Sequence, residues 1–93
     1  MTVKRKIMRI MDLVMEISPP DVTYHYEEKA IAYASFSGYS LCLRVTVYEK
    51  GWNHDPDTIK KFAVFNLDSK EHAKKVNQEL DEIIHYLEKL RRR

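Results

Sequence analysis

Apolar residues fall into two helical stripes at the ends of the chain, with a β-like alternation between them. Val3, Ile7, Ile10, Val14 and Ile17 step by 4, 3, 4 and 3, and Val76, Leu80, Ile83, Leu87 and Leu90 repeat that spacing. Such steps return side chains to one side of an α-helix. Between the stripes, Leu41, Leu43, Val45 and Val47 step by two, the period of a strand with one covered face. The pattern predicts an α+β fold: an N-terminal helix, a three- or four-stranded antiparallel meander, and a long C-terminal helix. Both helices are expected on one face of the sheet.

The first helix is expected from Thr2 to Ser18, with Thr2 as N-cap and Pro19-Pro20 ending it. Its apolar arc is wide. Leu13 joins the stripe, and Met1, Met8, Met11 and Met15 flank it, leaving Lys4, Arg5, Arg9, Asp12 and Glu16 to demand water. One sheet contact cannot cover so broad an arc, so this helix is expected to be buried against two different things.

Val22–Tyr26 and Ala30–Phe36 read as strands, then Ser37-Gly38 as a turn in which Gly38 can take a positive φ. Whether Val22–Tyr26 is a separate strand decides between three and four. Ser40–Tyr48 is the clearest strand, with Cys42, Arg44, Thr46 and Tyr48 facing outward. Lys50–Asp57 is a polar loop, and Thr58–Leu67 a strand apolar on both faces, Phe62 and Val64 opposing Ala63, Phe65 and Leu67. The second helix is expected to start at Asp68, whose spacing to Glu71 makes a D-x-x-E capping box. From there to the end it would run roughly 36 Å. Strands of this length span only about 25–30 Å. Its last turns, with Tyr86, Leu87 and Leu90, are therefore expected to overhang the sheet and need a partner.

Composition narrows the class. Ninety-three residues, 44% hydrophobic, make one domain spanning 1–93. A domain this small often gains stability by association, so a homodimer is expected, with Met8, Met11, Met15, Tyr86, Leu87 and Leu90 at the contact. The lone cysteine, Cys42, cannot form an internal disulfide and fits a reducing cytoplasm. No segment reads as a signal peptide or membrane span, since Arg9, Asp12 and Glu16 interrupt the stretch after the first lysines. Net charge is +2, from 16 basic and 14 acidic residues, too balanced to announce a nucleic-acid binder.

Catalytic chemistry finds no foothold. With two glycines there is no phosphate-cradling loop, Cys42 lies mid-strand, and no serine stands at a strand–turn–helix elbow. No cofactor is implied. His54, Asp55 and Asp57 share a loop, but Asp55-Pro56-Asp57 is more simply a turn than a metal site. His72 and His85 read as surface residues of the second helix.

Surfaces carry the functional expectation instead. If both helices cover one sheet face, the other presents Arg44, Thr46 and Tyr48, joined by some of Tyr24, Tyr26, Tyr33 and Phe62. Aromatics beside arginine recur where proteins grip protein partners, and also where sheets stack single-stranded bases. Trp52, in the polar loop, is either tucked against the sheet edge or an anchor. The helix–sheet–helix order is similar to that of some small dimeric nucleoid-associated proteins and of several small phage-encoded inhibitors, a likeness of fold order alone. The resulting expectation is a non-enzymatic, cytoplasmic regulatory or inhibitory protein, of the kind that phages and mobile elements encode. It would bind a protein partner through Trp52, Tyr48 and Arg44. The alternative is a dimer that binds nucleic acid through Lys4, Arg5 and Arg9 at one terminus and Arg91, Arg92 and Arg93 at the other.

Overall fold

A computed structural model describes residues 2–18, 30–50 and 58–92. The elements are α1 (Val3–Ile17), β1 (Ile31–Ser37), β2 (Cys42–Tyr48), β3 (Ile59–Val64) and α2 (Ala73–Arg91). The strands form an antiparallel sheet in the order β1-β2-β3. Val45 stands between Ala34 and Phe62, and Leu43 between Phe36 and Val64. Alternation therefore turns Ala32, Ala34, Leu43, Val45, Val47, Phe62 and Val64 to one face. Both helices lie there, α1 along β1 and α2 along β3, and the two helices also pack on each other. This is the expected α+β architecture. The proposed strand Val22–Tyr26 lies outside the described residues.

The core is built around β2, whose Leu43, Val45 and Val47 are fully enclosed with Ile10, Leu13, Leu80, Ile83 and Leu87. Small Ala32 and Ala34 let α1 settle close to β1. As its wide arc requires, α1 is buried against two elements, the sheet and α2. Thr2 caps it, its Oγ1 accepting from the Arg5 amide at 3.2 Å.

The helices run parallel and side by side. Lys6 Nζ lies 2.9 Å from Asp81, and Arg91 donates to Glu16 at 2.7 Å. Both pairs join positions 75 apart (81 − 6 and 91 − 16), so the register is constant along the contact. This alignment overturns the expected overhang. Leu87 and Leu90 are buried within the chain, because α1 runs beside the end of α2 and the sheet still reaches it, Tyr86 packing there on Phe62.

The start of α2 also departs from expectation. It begins at Ala73 with His72 as N-cap, and no Asp68–Glu71 box forms. Asn66 sits at φ 58, in the left-handed region, and its carbonyl accepts from the Ser69 amide at 3.0 Å. That turn swings Leu67 into the core, against its strand parity, and ends β3 at Val64 instead of Leu67. Ser69 Oγ then accepts from the His72 amide at 3.3 Å and pairs with His72 Nδ1 at 2.9 Å. In the β1–β2 turn the left-handed residue is Leu41, at φ 49, while Gly38 is not in that region. Strand β2 accordingly begins at Cys42 and not Ser40. Cys42, expected to face solvent, is buried.

Candidate partner-binding surface

The sheet face turned away from the helices is set by the same alternation. It carries Tyr33 and Ser35 from β1, Arg44, Thr46 and Tyr48 from β2, and Ile59, Lys61 and Ala63 from β3. Tyr33, Thr46 and Lys61 form one row across the sheet, and Ser35, Arg44 and Ala63 the next. Phe65, just past β3, lies under the Arg44 guanidinium, whose carbon is 5.7 Å from the ring centroid. Tyr33 and Tyr48 meet with ring centroids 6.1 Å apart.

Stacking on Phe65 limits the rotamers of Arg44 while leaving the in-plane N–H groups free to fork onto a carboxylate. The Tyr33 oxygen accepts hydrogen bonds from Tyr48 and Thr46, and Lys61 stands nearby. Those bonds hold the Tyr33 phenol below the usual tyrosine range, whereas the bond to Tyr33 pushes Tyr48 above it. Arg44 and Lys61 give this face a positive sign, and among the described strand residues no aspartate or glutamate shares it. Exposed Tyr33 and Phe65 supply rigid aromatic area beside the cations.

The expected binding residues divide accordingly. Arg44 and Tyr48 are brought together on this face; Trp52 lies outside the described residues, as do Tyr24, Tyr26, His54, Asp55 and Asp57. Phe62, expected alongside, instead faces the helices and packs on Tyr86 at 5.3 Å between centroids. The sequence pattern places Phe65 only on one face of a two-sided strand. Its place beneath Arg44 follows from the β2–β3 register, which pairs Arg44 with Ala63 and sets Phe65 one step along the same face.

Among the residues expected at a dimer contact, Leu87 and Leu90 belong to the core of the single chain. Tyr86 is half-buried and donates to the Glu49 carboxylate. Met11 packs against the core, while Met8 and Met15 keep 56% and 49% of their surface exposed. The basic clusters are separated too. Lys4 and Arg5 stand at one end of the helix layer, roughly 16–20 Å of helix from the level of Arg91 and Arg92, and Arg9 stands mid-helix, about 10 Å from that level. Arg91 pairs with Glu16 and Arg92 with Glu88; Arg93 lies outside the described residues.

One further feature escaped the sequence. An apolar groove of about 250 Å³ lies between the start of α1 and the β1–β2 turn, lined by Val3, Ile7, Met8, Phe36, Leu41 and Leu67. It falls below the roughly 300–1,000 Å³ of sites that enclose a whole small ligand. Among the described residues no helix is long and apolar enough to cross a membrane. No protein-family model, curated protein or solved structure gives a significant match to this chain.

Proposed function

We propose that this is a non-enzymatic binding protein that regulates or inhibits a protein partner by stoichiometric contact through the open sheet face. The observation that carries this reading is Arg44 held over Phe65 beside the Tyr33–Tyr48 ring pair, all on a face turned away from both described helices. Tyrosine and arginine are the side chains that dominate binding energy at protein interfaces, because they offer large contact area with few rotors to immobilise. The surplus of Arg44 and Lys61 on this face favours an acidic partner surface.

Nucleic acid is the less supported partner. Lys4 and Arg5 sit at the opposite end of the helix layer from Arg91 and Arg92, which already face carboxylates.

The test is comparative capture from the native source, followed by reconstitution with the purified partner. Wild-type protein should retain one partner in a stoichiometric complex. Arg44→Glu and Phe65→Ser, both folded by circular dichroism, should lose it by tenfold or more in affinity. Equal retention by wild type and both variants would overturn the reading. So would submicromolar binding of single-stranded DNA or RNA that weakens steeply with salt and depends on Arg44.

A further inference from the structure

The outer stripe of α1 carries a second surface, independent of the open sheet face. Lys4, Arg5, Met8, Asp12, Met15 and Glu16 are all exposed there. Arg5, Met8, Asp12 and Met15 step by three, four and three, the spacing of a seam between packed helices. Lys4, Arg5, Met8, Arg9 and Asp12 frame a shallow hollow on this side.

Charge along the stripe runs the wrong way for an isolated helix. Cations Lys4, Arg5 and Arg9 occupy the first half, and anions Asp12 and Glu16 the second. The helix dipole favours the reverse, anions near the N-terminus and cations near the C-terminus. Helix α1 has no acidic residue in its first turn and no basic residue in its last, while α2 closes on Lys89 and Arg91 as the dipole prefers. Local helix stability therefore does not account for the order of charges in α1. A reversed copy of the same stripe does.

We propose that α1 docks against α1 of a second copy of this chain, antiparallel, about a two-fold axis near the middle of the helix. Met8 and Met15 fill the seam, and Lys4, Arg5 and Arg9 of each protomer face Asp12 and Glu16 of the other. An isologous interface makes every contact twice, so a stripe that is positive in one half and negative in the other complements itself only in this orientation. Parallel packing would set like charges together and align the two dipoles. The thioethers adapt to the seam as unbranched, polarizable side chains. Glu16 keeps its Oε2 bond to Arg91 and has Oε1 left to face the partner. A single helix pair buries less than the roughly 800 Å² per partner of a standard interface, so the dimer is weak and salt-sensitive.

Sedimentation equilibrium with charge-swapped variants tests this. Wild type at about 0.5 mM and low salt should contain dimer that dissociates as salt is raised. Lys4→Glu/Arg5→Glu and, separately, Asp12→Lys should each weaken self-association by tenfold or more. A mixture of the two variants should restore dimer, because each then meets its opposite. Circular dichroism melts establish that the variants are folded. Should either variant unfold, the salt dependence of wild type and the effect of Met15→Glu decide the matter. A wild type that stays monomeric at this concentration overturns the proposal. A salt-insensitive dimer, no rescue on mixing folded variants, or a dimer abolished by Arg44→Glu but not by the stripe changes also overturns it. Failure here leaves the open-face reading untouched, since the two tests share no residue except the Arg44 control.

Discussion

Lys6 reaches from within the helix–helix contact to Asp81, its ammonium 2.9 Å from the carboxylate, with the lysine side chain 10% exposed and the aspartate 55%. The lysine stem is buried with the core while its charge is met by a partner still in touch with water. Removing the aspartate strands a largely buried cation, whereas removing the lysine leaves a carboxylate that water can solvate. Asp81→Asn should therefore destabilise by about 1–3 kcal/mol. Lys6→Met should be neutral within about 1 kcal/mol or stabilising. Urea unfolding of both variants checks the asymmetry; equal costs would contradict it.

The second interhelical pair makes stability depend on acid. The Arg91 guanidinium beside Glu16 holds that carboxyl below its ordinary value of 4.5. A group whose pKa is depressed on folding contributes stability above its unfolded pKa and loses it as pH falls through the folded value. Thermal melts should show a Glu16-dependent loss below about pH 4.5. Glu16→Gln should remove that component and leave the melting temperature less sensitive to acid over this window.

On the open face, Tyr33 should be the earlier of the Tyr33–Tyr48 pair to ionise, since Tyr48 and Thr46 donate to its oxygen and stabilise the phenolate. Tyrosine-ring NMR in an alkaline titration resolves the two. Replacing Tyr48 with phenylalanine should move the Tyr33 midpoint up toward 10.0, and Tyr33→Phe should move that of Tyr48 down toward 10.0.

The turn between β1 and β2 gives a backbone prediction. Gly38 is outside the left-handed region, and a Cβ built there meets no atom within 4 Å. Gly38→Ala should stabilise by about 0.4–1 kcal/mol by restricting the unfolded chain. Chemical denaturation reads this directly; a loss of stability would mean that the turn needs the glycine.

Coverage of the end of α2 predicts a large truncation cost. Leu87 has no exposed surface in the single chain. Leu87→Ala should cost about 2–5 kcal/mol at any protein concentration, as a core truncation does. If its cost instead vanished on dilution, that side chain would belong to an interface between copies.

Elements whose side chains sort by one local period were legible in the sequence. The helical stripe of α1 and the alternation of β2 place Ile10, Leu13, Leu43, Val45 and Val47 without reference to the rest of the chain. What escaped depends on distant partners or on backbone conformations with weak residue signatures. Asp68 and Glu71 have the spacing of a capping box, but the left-handed turn at Asn66 delays the helix past both. Leucine seldom adopts positive φ, so residue type points to the glycine of the Ser37–Leu41 turn, whereas the left-handed residue is Leu41. The burial of Leu87 and Leu90 required knowing that α1 lies parallel to α2. On the open face, parity alone exposed Arg44 and Tyr48. The stacking of Arg44 on Phe65 needed the register between two strands.

Cys42, enclosed at the start of the central strand, turns the protein into its own reporter. An alkylating reagent reaches that sulfur only when the groups around the start of the middle strand move aside, so the labelling rate measures how often that end of the sheet opens. No dye or engineered thiol is needed. The same measurement repeated with a bound partner would tell whether engagement tightens the strand beneath it or leaves its breathing unchanged.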